Sequence, residues 1–491
     1  MSLCLNCEGR LERPSSLLPS YILETNEPPT ESQIPSIRDF ISRARSHKSL
    51  LDSKIAQVQS LLQELLSERD EVDNEIRKHE GALSPLRRMP PEILSLIFTS
   101  TFSRTLFSEQ SAPWIASAVC SRWRLIALSP TFWTTISDQD HHFNLFNLNA
   151  QLARSGDLPL TITFTCEVQS ITADYESKVA DLLAAHSARW ETISLDGPEV
   201  FFSRIQRTLP QFPMLRKLEV EIQSTEPPAS STLSIFSHAP RLAEASINVS
   251  SWPFPVAMVL PWHQLSRYRA TVEWGGLADL ASASALVECM LDLGADQEPA
   301  NLNLGTILLP RLLRLSISHR RILAYLETPV LGELYDHDRD NFASLSGAAS
   351  LPRTLTTLVL VRNMDLVDQV DLLSIVGAIP ALKSFGFTRL MPWRLVLNFL
   401  CSISTRAPAL EHLSLAVKGD LPLELIDAMQ AMEWGTWRLR SLRFWTTAVA
   451  NEQLDRLIAT LRGHGVDVET VDFRHELYGG MVPETLWMAS H

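Results

Sequence analysis

The 491-residue chain has no run of about 18 apolar residues, so no membrane-spanning helix is expected. Its start, "MSLCLNCEGRLERPSS", lacks a long apolar core behind a basic beginning and does not read as a secretory signal. Six cysteines are too few for a disulfide framework, which fits a reducing compartment and a cytoplasmic or nuclear location. Cys4 and Cys7 form a lone C-x-x-C without the second ligand pair of a structural zinc site, and read as thiols in a tail. With 18 glycines, phosphate-cradling loops are poorly supplied, and no G-x-S-x-G, H-E-x-x-H, G-x-x-x-x-G-K-[ST] or G-x-G-x-x-G occurs. Positive charge is short as well. A formal net charge of −13 argues against a general nucleic-acid binder, because neutralising phosphates needs a basic face. The expectation is a protein without catalytic residues, cofactor or metal, and without nucleic-acid or membrane partners.

What the chain does have is ordinary globular composition, 45% hydrophobic and 20% charged. Its length calls for two or more structural units. Residues 1–36 contain "RPSSLLPSYILETNEPPTESQIP" and suit a flexible tail. Residues 37–82 then change pattern. Ile41, Ala44, Leu51, Ile55, Val58, Leu62, Leu65, Val72 and Ile76 recur on alternating three- and four-residue steps, with Lys48, Arg69 and His79 on the same register. A long helix with so narrow a stripe is a coiled-coil candidate for self-association; a single helix folding back on its own domain is the alternative.

Residues 83–136 read as a small all-helical domain. Pro90 and Pro91 sit where a helix can begin, since the first turn needs no internal amide donor. Ile93, Leu94, Ile97 and Phe98 follow on one helical face. A second apolar helix runs through Ala118, Val119, Trp123, Ile126 and Ala127, and Trp133 follows the "LSP" break. A unit of about 50 residues is near the lower limit for a self-sufficient core.

From residue 150 to 491 one phrase recurs, L-x-x-L-x-φ with φ apolar, usually just after a proline: "FPMLRKLEV", "LPRLLRLSI", "LPRTLTTLVL", "IPALKSFGF", "APALEHLSL", "TWRLRSLRF" and "VDVETVDF". Weaker copies are "APRLAEASI" and "ARWETISL". Amphipathic stretches such as "RLVLNFLCSIS" lie between them. A short strand plus a helix every 20 to 29 residues marks a leucine-rich solenoid, whose units stack because none can bury its own apolar side. Residues 251–305 break the rhythm, so divergent repeats with insertions are expected. The fold class is α/β: a long helix, a small helical unit, then a divergent strand–helix solenoid.

With these phrases in view, "MPPEILSLIF" resembles the first helix of an F-box, and "VCSRWRLIALSPTFW" resembles its later part. The resemblance covers about 50 residues, in the family's order. The long segment between the halves, with "APW" ahead of the second, is similar to the large fungal group of F-box proteins that carry a divergent leucine-rich region. The resemblance implies a substrate receptor of an SCF-type ubiquitin ligase that docks on the Skp adaptor. Pro90, Ile93, Leu94, Ile97, Phe98, Val119, Trp123 and Trp133 are then the adaptor-binding candidates, some of them serving as the box's own core. A ligase-independent interaction scaffold using the same modules is the alternative.

The repeats would select an unknown protein substrate. Positions between the inward leucines, including Glu219, Glu221, Val359, Val361, Ser414 and Asp472, line the strand face used for binding. Arg443, Trp445 and Arg474 are the leading substrate-binding candidates, because Arg and Trp are enriched at hot spots. The densest polar cluster, Asp336, His337, Asp338 and Asp340, could serve a hard metal or acid–base chemistry. Its place at the end of a repeat strand reads more simply as a charged loop.

Overall fold

The computed structural model describes residue 24 and residues 26–101, 112–137, 145–166, 173–223, 232–249, 258–293, 304–337, 351–361, 372–417, 421–432, 434, 437–446 and 452–472. Cys4, Cys7, Asp338, Asp340 and Arg474 lie outside these residues. The protein is mixed α/β and divides into two compact units, residues 1–94 and 95–491.

The first unit is dominated by one 50-residue helix, α1 (Ile34–Leu83), which has no buried residue. A proline in its first turn starts it without loss of a backbone bond. Its apolar stripe is where the three–four spacing puts it, and it is open to water: Ile55, Leu62, Leu65, Val72 and Ile76 are each about half exposed. Local ion pairs such as Arg43–Asp39 (2.9 Å) and Lys78–Glu75 (2.7 Å) decorate the other faces.

Four short helices follow: α2 (Pro91–Thr101), whose last part opens the second unit, then α3 (Ala112–Val119), α4 (Ser121–Ala127) and α5 (Leu145–Arg154). Beyond them strands and crossovers alternate. The first strands are β1 (Thr135–Ser137), β2 (Leu160–Thr165), β3 (Trp190–Pro198), β4 (Lys217–Gln223) and β5 (Glu244–Val249). They are followed by β6 (Arg267–Val272), β7 (Glu288–Leu293), β8 (Ile307–Leu308), β9 (Arg314–Ile317), β10 (Leu326–Glu327) and β11 (Glu333–Asp336). The series ends with β12 (Thr357–Leu360), β13 (Ser384–Met391), β14 (His412–Val417), β15 (Ser441–Thr446) and β16 (Asp467–Asp472). Fourteen of these make one parallel sheet in which each strand lies beside its predecessor and successor, with β1 and β16 as open edges. β8 and β10 pair separately. The sheet begins at Thr135, ahead of the expected residue 150, because "TIS" extends directly from the Trp133 turn and pairs with Thr161–Thr163.

The recurring phrase explains this sheet. In four of the copies the first leucine lies in the turn before the strand, and the next two apolar residues point inward: Leu215, Leu218 and Val220; Leu312, Leu315 and Ile317; Leu410, Leu413 and Leu415; Leu439, Leu442 and Phe444, all 5% exposed or less. Crossovers close the other side. Where strand starts are far apart, as from Leu160 to Trp190 and on to Lys217 and from Ser384 to His412 and on to Ser441, the crossover holds a true helix: α6 (Ala173–Ala184), α7 (Glu199–Arg207), α9 (Trp393–Arg406) or α10 (Leu423–Gln430), the last two lying between α8 (Leu372–Gly377) and α11 (Glu452–Gly463). Where they are close, from Arg267 to Glu288 and from Arg314 to Glu333, only 3-10 turns fit, at Trp274–Ser282 and Arg320–Tyr325. Among its described residues, the stretch expected to be irregular therefore keeps its strands, with 3-10 turns in place of α-helices. Trp274, Leu277 and Leu280 from its 3-10 turn still fill the core.

Exposure changes sharply between the turn before β9 and the strand itself. Replacing Leu315, fully buried mid-sheet, with Ala should cost about 2–5 kcal/mol of stability. The same change at Leu313, 48% exposed, should cost about 0.5 kcal/mol or less. Denaturant midpoints of the two variants check this; equal losses would contradict the difference in burial.

Candidate interaction surfaces

The helical box has a core of its own, separate from the core of the sheet: Phe98, Ala116, Ala127, Phe132 and Trp133, with Trp114, Trp123 and Ile126 packed on it. Phe98 meets Trp123 edge-on at 5.0 Å and Phe132 at 6.3 Å, and Trp133 meets Trp114 at 5.1 Å. The Trp133 indole N–H donates to the Ala127 carbonyl at 2.7 Å, which fixes the turn after α4 against its last residues. Cys120 caps α4, its sulfur accepting from the Trp123 amide at 3.4 Å. Arg124 Nε donates to the Ser117 carbonyl at 2.7 Å and ties α4 to α3.

This core sorts the eight adaptor-binding candidates. Leu94, Phe98 and Trp133 are 0%, 3% and 1% exposed, and Trp123 is half-buried on Phe98. Leu94, Phe98 and Trp133 are packing residues rather than surface contacts, while Trp123 keeps part of its side chain in solvent. Pro90, Ile93, Ile97 and Val119 are exposed. Leu96, Ile115, Leu125 and Leu128 join them at 63%, 50%, 76% and 39%. Sequence reasoning passed over these four because they fall off the motif's own positions. It also missed Arg154 at the end of α5, whose guanidinium lies 4.2 Å from the Trp114 ring centre and 4.5 Å from that of Trp133. Stacked over two indoles, this cation fastens the box to the first crossover of the sheet; burial lowers its pKa.

The open face of the sheet carries the second surface. Arg443 and Trp445 lie on it, two residues apart, while Leu442 and Phe444 between and beside them face the core. Neither is idle. Arg443 donates to Glu469 Oε2 of the next strand through Nε (2.8 Å) and Nη2 (2.7 Å). The Trp445 indole donates to Ser414 Oγ at 2.8 Å. Both are held in place by neighbours yet still reach solvent.

A charged ladder crosses the same face and was not anticipated. Glu244, Arg267, Glu288, Arg314 and Glu333 occupy one column of register partners on β5, β6, β7, β9 and β11. Arg267 bridges Glu244 (3.2 Å) and Glu288 (3.0 Å), and Arg314 bridges Glu288 (2.9 Å) and Glu333 (3.1 Å). Tyr335 extends the row, donating to Glu333 Oε2 at 2.9 Å. Burial works against the charge on Arg314, but Glu333 and Glu288 outweigh it and raise its pKa. The signal was readable: each ladder residue is the third of a four-residue phrase that opens on leucine and closes on a buried residue, Ala245, Tyr268, Cys289, Leu315 or Leu334, and the signs alternate over five successive phrases.

Asp336 belongs to neither surface. It closes β11 at a core-facing position, 3% exposed, with Ile317 and Leu360 as its register partners. Arg320 meets it from the 3-10 turn, Nε donating to Oδ2 at 2.7 Å and Nη2 to the same oxygen. The carboxylate is committed to a buried ion pair, which corrects its reading as part of a charged surface loop or as a metal or acid–base ligand. Among the described residues no group of three His, Cys, Asp or Glu is arranged to hold a metal, and no helix is long and apolar enough to cross a membrane. No family model and no curated protein matches the chain.

Two predictions follow from this corner of the sheet. Removing one partner of a buried pair strands the other charge, so Arg320→Met should cost about 3–5 kcal/mol, while Arg320→Met with Asp336→Leu should recover most of it. Denaturation of the single and double variants reads the difference. Burial lowers the pKa of His337, against the opposing pull of Asp292 and Asp336. The folded state then favours the neutral ring, so its contribution is intact above the unfolded value of about 6.5 and fades as pH falls below it. His337→Gln should flatten the stability profile between pH 7 and 5, measured as thermal midpoint against pH.

Proposed function

We propose that the protein is the substrate-recognition subunit of an SCF-type ubiquitin ligase. In this reading the helical box docks on the Skp adaptor and the open face of the sheet selects the target protein. One observation carries it: the box core takes Phe98, Trp123 and Trp133 from the motif, while Ile93, Ile97 and Val119 are left at 44%, 37% and 56% exposure. Apolar side chains held in water on short helices are what a partner surface needs. On the sheet, Arg443 and Trp445 are pre-oriented by Glu469 and Ser414, which lowers the ordering cost of binding. The chemistry of ubiquitin transfer would then come from the other ligase subunits.

The second reading, a ligase-independent scaffold with the same modules, draws on α1, whose exposed stripe requires a partner but no ligase. Adaptor capture separates the two. In co-expression with a Skp adaptor, the native chain should co-purify stoichiometrically, and Ile93→Asp with Ile97→Asp should weaken capture at least about 100-fold, as hot-spot losses of about 2–4 kcal/mol imply. Circular dichroism of the variant should be unchanged, since both residues face water. Undiminished capture, or none by the native chain, would move the assignment to the scaffold.

A further inference from the structure

The heptad register of α1 separates core and flank positions, and the charges on it are not evenly spread. With Ile41, Lys48, Ile55, Leu62, Arg69 and Ile76 at a, the d positions are Ala44, Leu51, Val58, Leu65, Val72 and His79. The first half of the helix, residues 34–58, carries five Lys or Arg against two acids; the second half, residues 59–83, carries seven acids against three Lys or Arg. A helix that is positive at one end and negative at the other is complementary to a second copy of itself only when that copy runs the opposite way.

We propose that α1 pairs with α1 of a second copy as an antiparallel coiled coil centred near Ser60. In this register every a residue meets a d residue of the other chain, the two numbers adding to 120. Ile55 lies level with Leu65, Val58 with Leu62 and Ala44 with Ile76. The flanking positions then match in sign. Arg38 comes beside Glu80, Arg45 beside Asp73 and Lys54 beside Glu68, each offset by two residues, or about 3 Å along the axis. The polar seam residues are accommodated too. Lys48 is level with Val72, whose neighbour is Asp73, and Arg69 is level with Leu51, whose neighbour is Asp52. In a parallel pair the flanking contacts join position g to position e five residues on. Glu68 would face Asp73 and Glu75 would face Glu80, like charges in both cases. The seam says that α1 is covered; the charge pattern says which way the cover runs. This pairing stands whether or not the box binds an adaptor.

The full-length chain tests it without modification. Light scattering should give twice the 55.1 kDa chain mass, with the dimer weakening as salt is raised. A mixture of ordinary and isotope-labelled chains, coupled with a zero-length carbodiimide, should yield interchain Lys54–Glu68 and Lys48–Asp73 links by mass spectrometry. Within one chain Lys54 and Glu68 are separated by about 21 Å of helix and cannot be joined. Lys54→Glu should raise the dimer dissociation constant about tenfold, because each pair occurs twice and the swap turns attraction into repulsion. Adding Glu68→Lys should return it to within about threefold of the native value. A monomeric mass, interchain links between residues of similar number, or a double variant no better than the single would each overturn the proposal.

Discussion

Each strand unit of the long sheet carries three apolar side chains that it cannot bury alone, and the rest of the second unit is arranged around that constraint. Leu312, Leu315 and Ile317 are dry only because the neighbouring strands and crossovers enclose them. Burial of each is worth about 1.5–3 kcal/mol, a gain realised only by stacking. Chain-order pairing follows, since the next unit in sequence is the one with the same unburied face. The crossovers are subordinate to it: a helix where the spacing permits, a 3-10 turn where it does not, with the strand register kept in both cases.

In-register stacking has a consequence on the opposite face. Residues at one phrase position form a column with strands about 4.8 Å apart, so like charges there would repel directly. Glu244, Arg267, Glu288, Arg314 and Glu333 alternate, and each arginine is shared by two carboxylates. Glu288 is the best shielded, its side chain 12% exposed between two guanidinium groups. The ladder neutralises most of its own charge and stiffens the middle of the open face. The less committed chemistry lies toward the C-terminal strands, where Arg443 shares a column with Ser414 and Val359 and Trp445 stands two residues further along its strand.

The sequence showed the architecture better than the surfaces. The L-x-x-L-x-φ phrases placed the inward leucines correctly because burial of a strand face is a local pattern that the chain repeats. The ladder went unread because two of its five phrases, around Arg267 and Glu288, fall in the stretch between residues 251 and 305 that was taken for irregular chain. Asp336 was legible as a charge but not as a core residue: only the register, which sets it between Ile317 and Leu360, shows that it replaces an apolar side chain and needs Arg320. In the box, "MPPEILSLIF" cannot say which of its apolar residues face in. A helix of this length has room for only one dry stripe, and the partners that choose it, Trp123 and Phe132, come from distant positions.

The apolar surface left in water follows a division of labour. The sheet hides its own, with Leu308, Leu313 and Val330 among the few large residues left partly open near its middle. The exposed aliphatic side chains concentrate instead on α1 and on the box. On α1 the stripe is long and one residue wide, a shape that fits another helix and little else. Covering its half-exposed members in two copies yields on the order of 1 kcal/mol per side chain, similar in total to the cost of association. Near such a balance, modest terms decide the outcome. The charges flanking the seam, worth a few tenths of a kcal/mol to about 1 kcal/mol each, would then select orientation rather than supply the affinity. The box offers fewer side chains on shorter helices, so the partner proposed for it would need an apolar groove of its own. Two exposed surfaces of such different shape are not interchangeable, and each places its own demand on whatever covers it.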